Sequence, residues 1–133
     1  MALHLEIVTP DRVVLKTEAE YVSLPGVEGE FGILPGHIPF FAALKVGCMH
    51  YIENGKTVHA SICGGFAEVS EDTVQVLADA AELSEEIDVS RAEAALRRAE
   101  ERLAAQQRDK INVARAEASL HRAVTRLHAA EFK

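Results

Sequence analysis

At 133 residues, with 48% apolar and 26% charged side chains, the chain has the make-up of one ordinary globular domain or two small ones, which excludes a disordered polypeptide. No apolar run approaches the roughly 20 residues that span a bilayer, and the opening MALHLEIVTPDRVV lacks the basic start and long apolar stretch of a signal peptide. The net charge of −7 is split: residues 1–84 hold four Lys/Arg against twelve Asp/Glu and residues 85–133 hold ten against nine, and so acidic a front half excludes nucleic acid as the main partner.

Short strands broken by turns fill residues 1–84. LHLEIVT (3–9) alternates apolar and polar residues, and Pro10-Asp11 turns the chain into RVVLK. AEYVSLPG (19–26) has strand character and ends at Pro-Gly. The stretch GVEGEFGILPGHIPFF (26–41) carries four glycines and two prolines, which prescribe tight turns rather than a ladder. It displays Glu28 and Glu30 beside Phe31, Ile33 and Leu34, which are expected to be buried. Its acids are either solvated on a structural turn or shown to a partner. A phosphate loop is excluded, because there is no G-K-[ST] and carboxylates repel phosphate.

VGCMHYIENGKTVHASIC (46–63) is the clearest hairpin: two β-prone runs flank Asn54-Gly55, the dipeptide suited to positive φ at both central positions of a type I′ turn. Gly64-Gly65 interrupts the pattern, GFAEVS resumes it, and Glu71-Asp72 turns into TVQVLAD (73–79). There Val74, Val76 and Ala78 share one face, and Thr73, Gln75, Leu77 and Asp79 the other. The whole reads as an antiparallel β-sandwich over 1–84. Cys48 and Cys63 lack C-x-x-C spacing and are expected as free core thiols in a reducing cytosol rather than a disulfide. His37, His50 and His59 show neither H-x-H nor H-E-x-x-H, so no metal site is expected. No serine or cysteine stands in a nucleophile motif, so the residues give no support for catalysis.

Past Leu83 the period changes. Ala92, Leu96, Ala99 and Leu103 follow one helical stripe, and Val113, Ala116, Leu120, Ala123 and Leu127 another. The polar QQRDKIN between them is short enough to reverse the chain, which predicts antiparallel helices over about 88–106 and 112–130, a two-helix hairpin within 85–133. An alanine seam permits close approach but buries little area, so the hairpin needs a surface to lean on and is free to take more than one position. Asp88 is placed to cap the first helix. Arg91 and Arg98, seven apart, share a helix face, as do Arg122 and Arg126, four apart and without an acid three or four residues away. Should the hairpin bring these faces together, four guanidinium groups converge on an anion, for which polyphosphate is the natural fit; the alternative is a solvated basic face.

VTPDRVV, GEFGILPGH, CGGFAEV and the terminal helix pair, in that order, resemble the epsilon subunit of bacterial F-type ATP synthase over essentially the whole chain. IDVSRA (87–92) is similar to that family's ATP-binding motif: Ile or Leu, Asp, two free positions, Arg, Ala. The resemblance implies a noncatalytic central-stalk subunit, peripheral at the cytoplasmic face of the bacterial inner (plasma) membrane. Its sandwich would bind the gamma subunit and the membrane rotor ring of c subunits, with Glu30 and His37 at the ring. It would have no cofactor, ATP serving as a regulatory ligand. Ile87, Asp88 and Ala92 would lie around the adenine side, with Glu82 just upstream, and Arg91, Arg98, Arg122 and Arg126 would face the phosphates. The hairpin folded on the sandwich would permit ATP hydrolysis, and extended toward the catalytic alpha and beta subunits it would hinder it. The alternative is a free-standing ATP-sensing protein, which has no need of the Glu30 turn.

Overall fold

The computed structural model describes residues 2–109 and 113–132, without the side chains of 105–109 and 113. Eight strands are followed by two helices: β1 Leu3–Val8, β2 Val13–Ala19, β3 Tyr21–Gly26, β4 Gly29–Ile33, β5 Phe40–Leu44, β6 Gly47–Glu53, β7 Lys56–Ser70, β8 Thr73–Leu83, a 3-10 turn Ser84–Glu86, α1 Val89–Asp109 and α2 Val113–Ala130. The strands form a β-sandwich in the order β2-β1-β8-β7-β5-β3-β4, with β6 pairing to β3 and β7. All pairs are antiparallel except β1 with β8, which run parallel with Leu5 beside Val74 and Ile7 beside Val76. That pair joins the two ends of the sandwich sequence, and all four side chains sit fully inside the core.

Asn54 and Gly55 both take positive φ, at 51° and 78°, and join β6 to β7 with Glu53 opposite Lys56. This is the expected type I′ hairpin. Glu71 and Asp72 make a second two-residue turn, also at positive φ, from β7 into β8. Asp72 then accepts the Gly36 N–H at 2.7 Å, tying the 34–39 loop to that turn. Gly64-Gly65 is where β7 changes partner: residues 56–62 pair with β6 and residues 65–69 with β5. A Cβ on Gly65 would overlap the Leu77 carbonyl oxygen, so only glycine admits this approach of β7 to β8.

Val74, Val76 and Ala78 point inward as the alternation predicts, while Leu77 is half exposed. In the glycine-proline stretch Ile33 is buried and Phe31, on β4, is partly buried against the core, but Leu34, in the loop after β4, is 61% exposed. Phe40, Phe41, Phe66 and Ile38 add to that exposed apolar surface, Phe41 stacking on Phe66 with centroids 5.4 Å apart. Neither cysteine is bridged, and both are half-buried rather than core residues.

The first helix runs further than expected. Gln106, Gln107, Arg108 and Asp109 belong to α1 rather than to a loop, since the first three are good helix formers; the reversal itself, at 110–112, lies outside the described residues. Ala92, Ala99, Ala116 and Ala123 are buried along the α1–α2 seam and Leu96, Leu103, Leu120 and Leu127 are half-covered, so the two stripes meet as predicted, the Val113 side chain lying outside the description. α2 is the helix that lies against β6 and β7, and α1 packs on α2. The docking surface is narrow: Ile87, Ala92 and Ala129 form a small buried cluster with Cys48, Leu127 and Ala130. Polar contacts flank it. The Cys48 thiol donates to the Thr125 carbonyl at 3.6 Å, the His121 ring meets the Val46 carbonyl at 3.2 Å, and His59 stacks on Phe132 with centroids 3.7 Å apart.

Candidate functional site

Docking leaves a cleft of about 540 Å³ between the hairpin and the β1–β2 turn, β7 and β8. That falls within the roughly 300–1,000 Å³ of small-molecule sites. Arg91, Arg98 and Arg102 enter it from one stripe of α1, Arg122 and Arg126 from α2, and Arg12 from the β1–β2 turn. Glu82 on β8 and Asp11 supply the opposing acids. Cationic side chains therefore outnumber carboxylates on its walls, and a bound polyanion would relieve their mutual repulsion.

Among the described residues, few polar groups meet these arginines. Arg126 Nε lies 2.6 Å from Glu82 Oε1, yet its N–H is not aligned to donate there; the hydrogen bond runs from Nη2 to Oε2 at 3.4 Å. Arg122 Nη2 donates to the Ser119 hydroxyl at 3.1 Å. Arg12 Nη2 stands 2.9 Å from Glu86 Oε2. Cys63 lines the cleft, and burial pushes its thiol pKa up while Arg122 and Arg126 pull it down.

Five of the eight residues expected around a nucleotide are brought together here: Glu82, Arg91, Arg98, Arg122 and Arg126. Ile87, Asp88 and Ala92 are not on the cleft wall. Ile87 and Ala92 are buried at the hairpin's foot, because their apolar side chains fill the contact between α1, α2 and the sandwich. Asp88 Oδ1 accepts the Arg91 N–H at 3.0 Å, so its carboxylate serves as the N-cap that starts α1. IDVSRA thus seats and orients the helix turn that carries Arg91.

Two cleft arginines escaped the sequence reading. Arg102 follows Arg98 by four residues with no acid at 98, 99, 105 or 106, so the helical spacing that picked out Arg122 and Arg126 would have found it. Arg12 carries no local signal; only the tertiary fold brings it to the hairpin.

Glu30 and His37 lie apart from the cleft, at the end of the sandwich. Glu30 is exposed, its carboxylate accepting the hydroxyl of buried Ser23. His37 meets the edge of Phe40, which in turn meets Phe31, so acid and imidazole flank one aromatic surface. His50 and His59 face each other across β6 and β7 with ring centroids 5.5 Å apart. Among the described residues no group of three or more His, Cys, Asp or Glu side chains is placed to hold a metal ion. No helix is long and apolar enough to cross a membrane.

Comparison with known proteins bears on both parts of the chain. Residues 2–84 match the family described as ATP synthase, Delta/Epsilon chain, beta-sandwich domain, and residues 85–131 match its long alpha-helix domain. The ATP synthase epsilon chain of Nitratidesulfovibrio vulgaris strain DP4 is 58% identical over 103 residues, which cover 77% of each chain. That of Lawsonia intracellularis is 54% identical over 102 residues, again 77% of each. A chain in the cryo-EM structure of the Euglena gracilis mitochondrial ATP synthase, OSCP/F1/c-ring, superposes with a TM-score of 0.79 at 28% identity, covering 98% of this chain and 81% of that one. The chain therefore belongs to the epsilon-chain family of ATP synthase, whose members are noncatalytic subunits of that complex.

Proposed function

We propose that the chain is a central-stalk subunit that joins the membrane rotor ring to the catalytic head and restrains ATP hydrolysis through a hairpin whose position depends on ATP. The observation that carries the regulatory part is the cleft itself, with arginines from both helices and an acid from β8 on its walls. ATP phosphates take Arg91, Arg98, Arg122 and Arg126, with Glu82 toward the base. Ile87, Asp88 and Ala92 fix the first turn of α1 beneath them. Because the ligand joins both helices, its binding energy favours the closed helix pair over one drawn apart. Extended, the same basic side chains are free to meet acidic surfaces of the alpha and beta subunits. ATP here is a signal, not a substrate.

The sandwich end supports the mechanical part. His37 and Phe31 meet exposed Phe40, and Leu34 and Ile38 are exposed on the same loop, apolar side chains with Glu30 and His37 beside them, as protein interfaces have. We assign the ring contact to Glu30 and His37, and the gamma contact to the sandwich. On this reading the chain works peripherally at the cytoplasmic face of the membrane. Reconstitution with a catalytic head supplies the test. The full-length chain should inhibit hydrolysis at low ATP and less at high ATP, whereas the 1–84 fragment should bind gamma without inhibiting. Equal hydrolysis with both would remove the regulatory role, and failure to bind gamma would remove the stalk role.

A further inference from the structure

Among the described residues, five of the six cleft arginines stand on the hairpin. An anion held by those alone would close α1 on α2 equally well whether the pair lay on the sandwich or stood free of it. A ligand without differential affinity for two states shifts nothing between them, so coupling nucleotide to docking demands a contact from the sandwich side. A latch across that boundary is the pair between Glu82 of β8 and Arg126 of α2. A phosphate that takes Arg126 draws it from Glu82 and so weakens that latch. Nucleotide bound only to the hairpin would then loosen docking.

Glu82 turns to the base only by giving up Arg126, so among the described residues lining the cleft the added contact comes from Arg12, the cation contributed by the sandwich. We infer, on the reading of the cleft as a nucleotide site, that Arg12 is the residue through which bound nucleotide senses docking: its guanidinium takes a phosphate oxygen only when the hairpin lies on the sandwich. Its stem is already held. The Thr9 N–H donates to the Arg12 carbonyl at 2.9 Å, and the Thr9 hydroxyl oxygen accepts the Arg12 N–H at 3.3 Å. Its side chain is 47% exposed and that of Glu86, its partner at 2.9 Å, 36% exposed, the kind of pair that is readily exchanged or shared. With five N–H donors, a guanidinium keeps Glu86 through one nitrogen and offers others to a phosphate. Glu86 in turn accepts the Leu83 N–H at 3.2 Å, at the start of the linker between sandwich and hairpin. Phosphate, Arg12, Glu86 and the linker backbone then form one chain of contacts, opposed by Asp11, which also lines the cleft.

The test separates binding from docking. Cys48 lies under α2 with its thiol on the Thr125 carbonyl, so its alkylation rate reports release of the hairpin. Cys63 lines the cleft and is removed as Cys63→Ser, leaving Cys48 as the single thiol of a two-cysteine chain. In this parent, saturating ATP should slow Cys48 alkylation about tenfold, the effect of one charge-assisted contact. Arg12→Ala should still bind ATP by calorimetry, with an affinity lowered about tenfold, but at saturation the slowing should fall below about twofold. Glu86→Gln, which removes the resting pair and keeps Arg12, should retain the slowing. Equal ATP-dependent slowing in the parent and in Arg12→Ala would overturn the inference alone. Failure of the parent to bind ATP would overturn the nucleotide reading and this inference with it.

Discussion

Arg91 shows how one position can be set by backbone and charge together. It stands in the first turn of α1, where the helix dipole disfavours a cation and the Asp88 cap supplies the only nearby relief given by its own segment. An arginine kept there is poised for an anion rather than for the helix. Arg126 is held differently, by an acid 44 positions away in the chain. We predict that Arg91→Ala and Arg126→Ala each weaken ATP binding about ten- to a hundredfold, as expected for loss of a charge-assisted hydrogen bond, with the sandwich still folded. Calorimetry giving unchanged affinity in both variants would take these residues out of the site. The four arginines of the two helix faces were legible in the sequence because helical spacing is local. Arg12 and the Glu82 partner of Arg126 were not, because a search three or four residues away cannot see across a sandwich.

Elements were legible where a turn or a period dictates them. Asn54-Gly55 announced its hairpin, and the alternation of β8 announced its buried face as far as Ala78. The parallel pairing of β1 with β8 was hidden, since it joins segments some seventy residues apart and has no turn of its own. So was the choice of α2 as the docked helix, because both helices carry similar alanine stripes. Docking brings its own pH dependence. His59 is stacked on Phe132 and faces His50 of β6 and His128 of α2. Burial first, then those two imidazoles, hold its pKa below the ordinary histidine value. The docked state therefore prefers neutral His59. That contribution is intact above about pH 6.5, the value the freed side chain regains, and is lost as pH falls through the lowered docked value. The Glu131 carboxylate lies 3.7 Å from the His128 ring on the same terminal segment. NMR of the isolated chain should show the Phe132 and α2 contacts fading between about pH 7.5 and 5.5. His59→Gln should flatten the response; the same pH profile in that variant would assign it to other groups.

At the scale of the molecule, the two parts differ in how they are held. The sandwich closes around one contiguous core that includes Leu3, Leu5, Ile7, Leu24, Ile33, Met49 and Ile62. The hairpin rests on a cluster of three buried residues, a handful of polar contacts and an ion pair. Such an element lies at the low-stability end of the structure and is easily shifted by a ligand. The sequence foretold this imbalance from the narrow alanine seam, but not the cleft that the docked pose encloses. Hydrogen exchange of the isolated chain with and without ATP measures the coupling directly. At about a hundred times its dissociation constant, ATP stabilises the bound form by about 2.7 kcal/mol, so amides of both α1 and α2 should exchange up to about a hundredfold more slowly. Protection confined to one helix, or absent from both while ATP is bound, would contradict a nucleotide that clasps the hairpin shut on the sandwich.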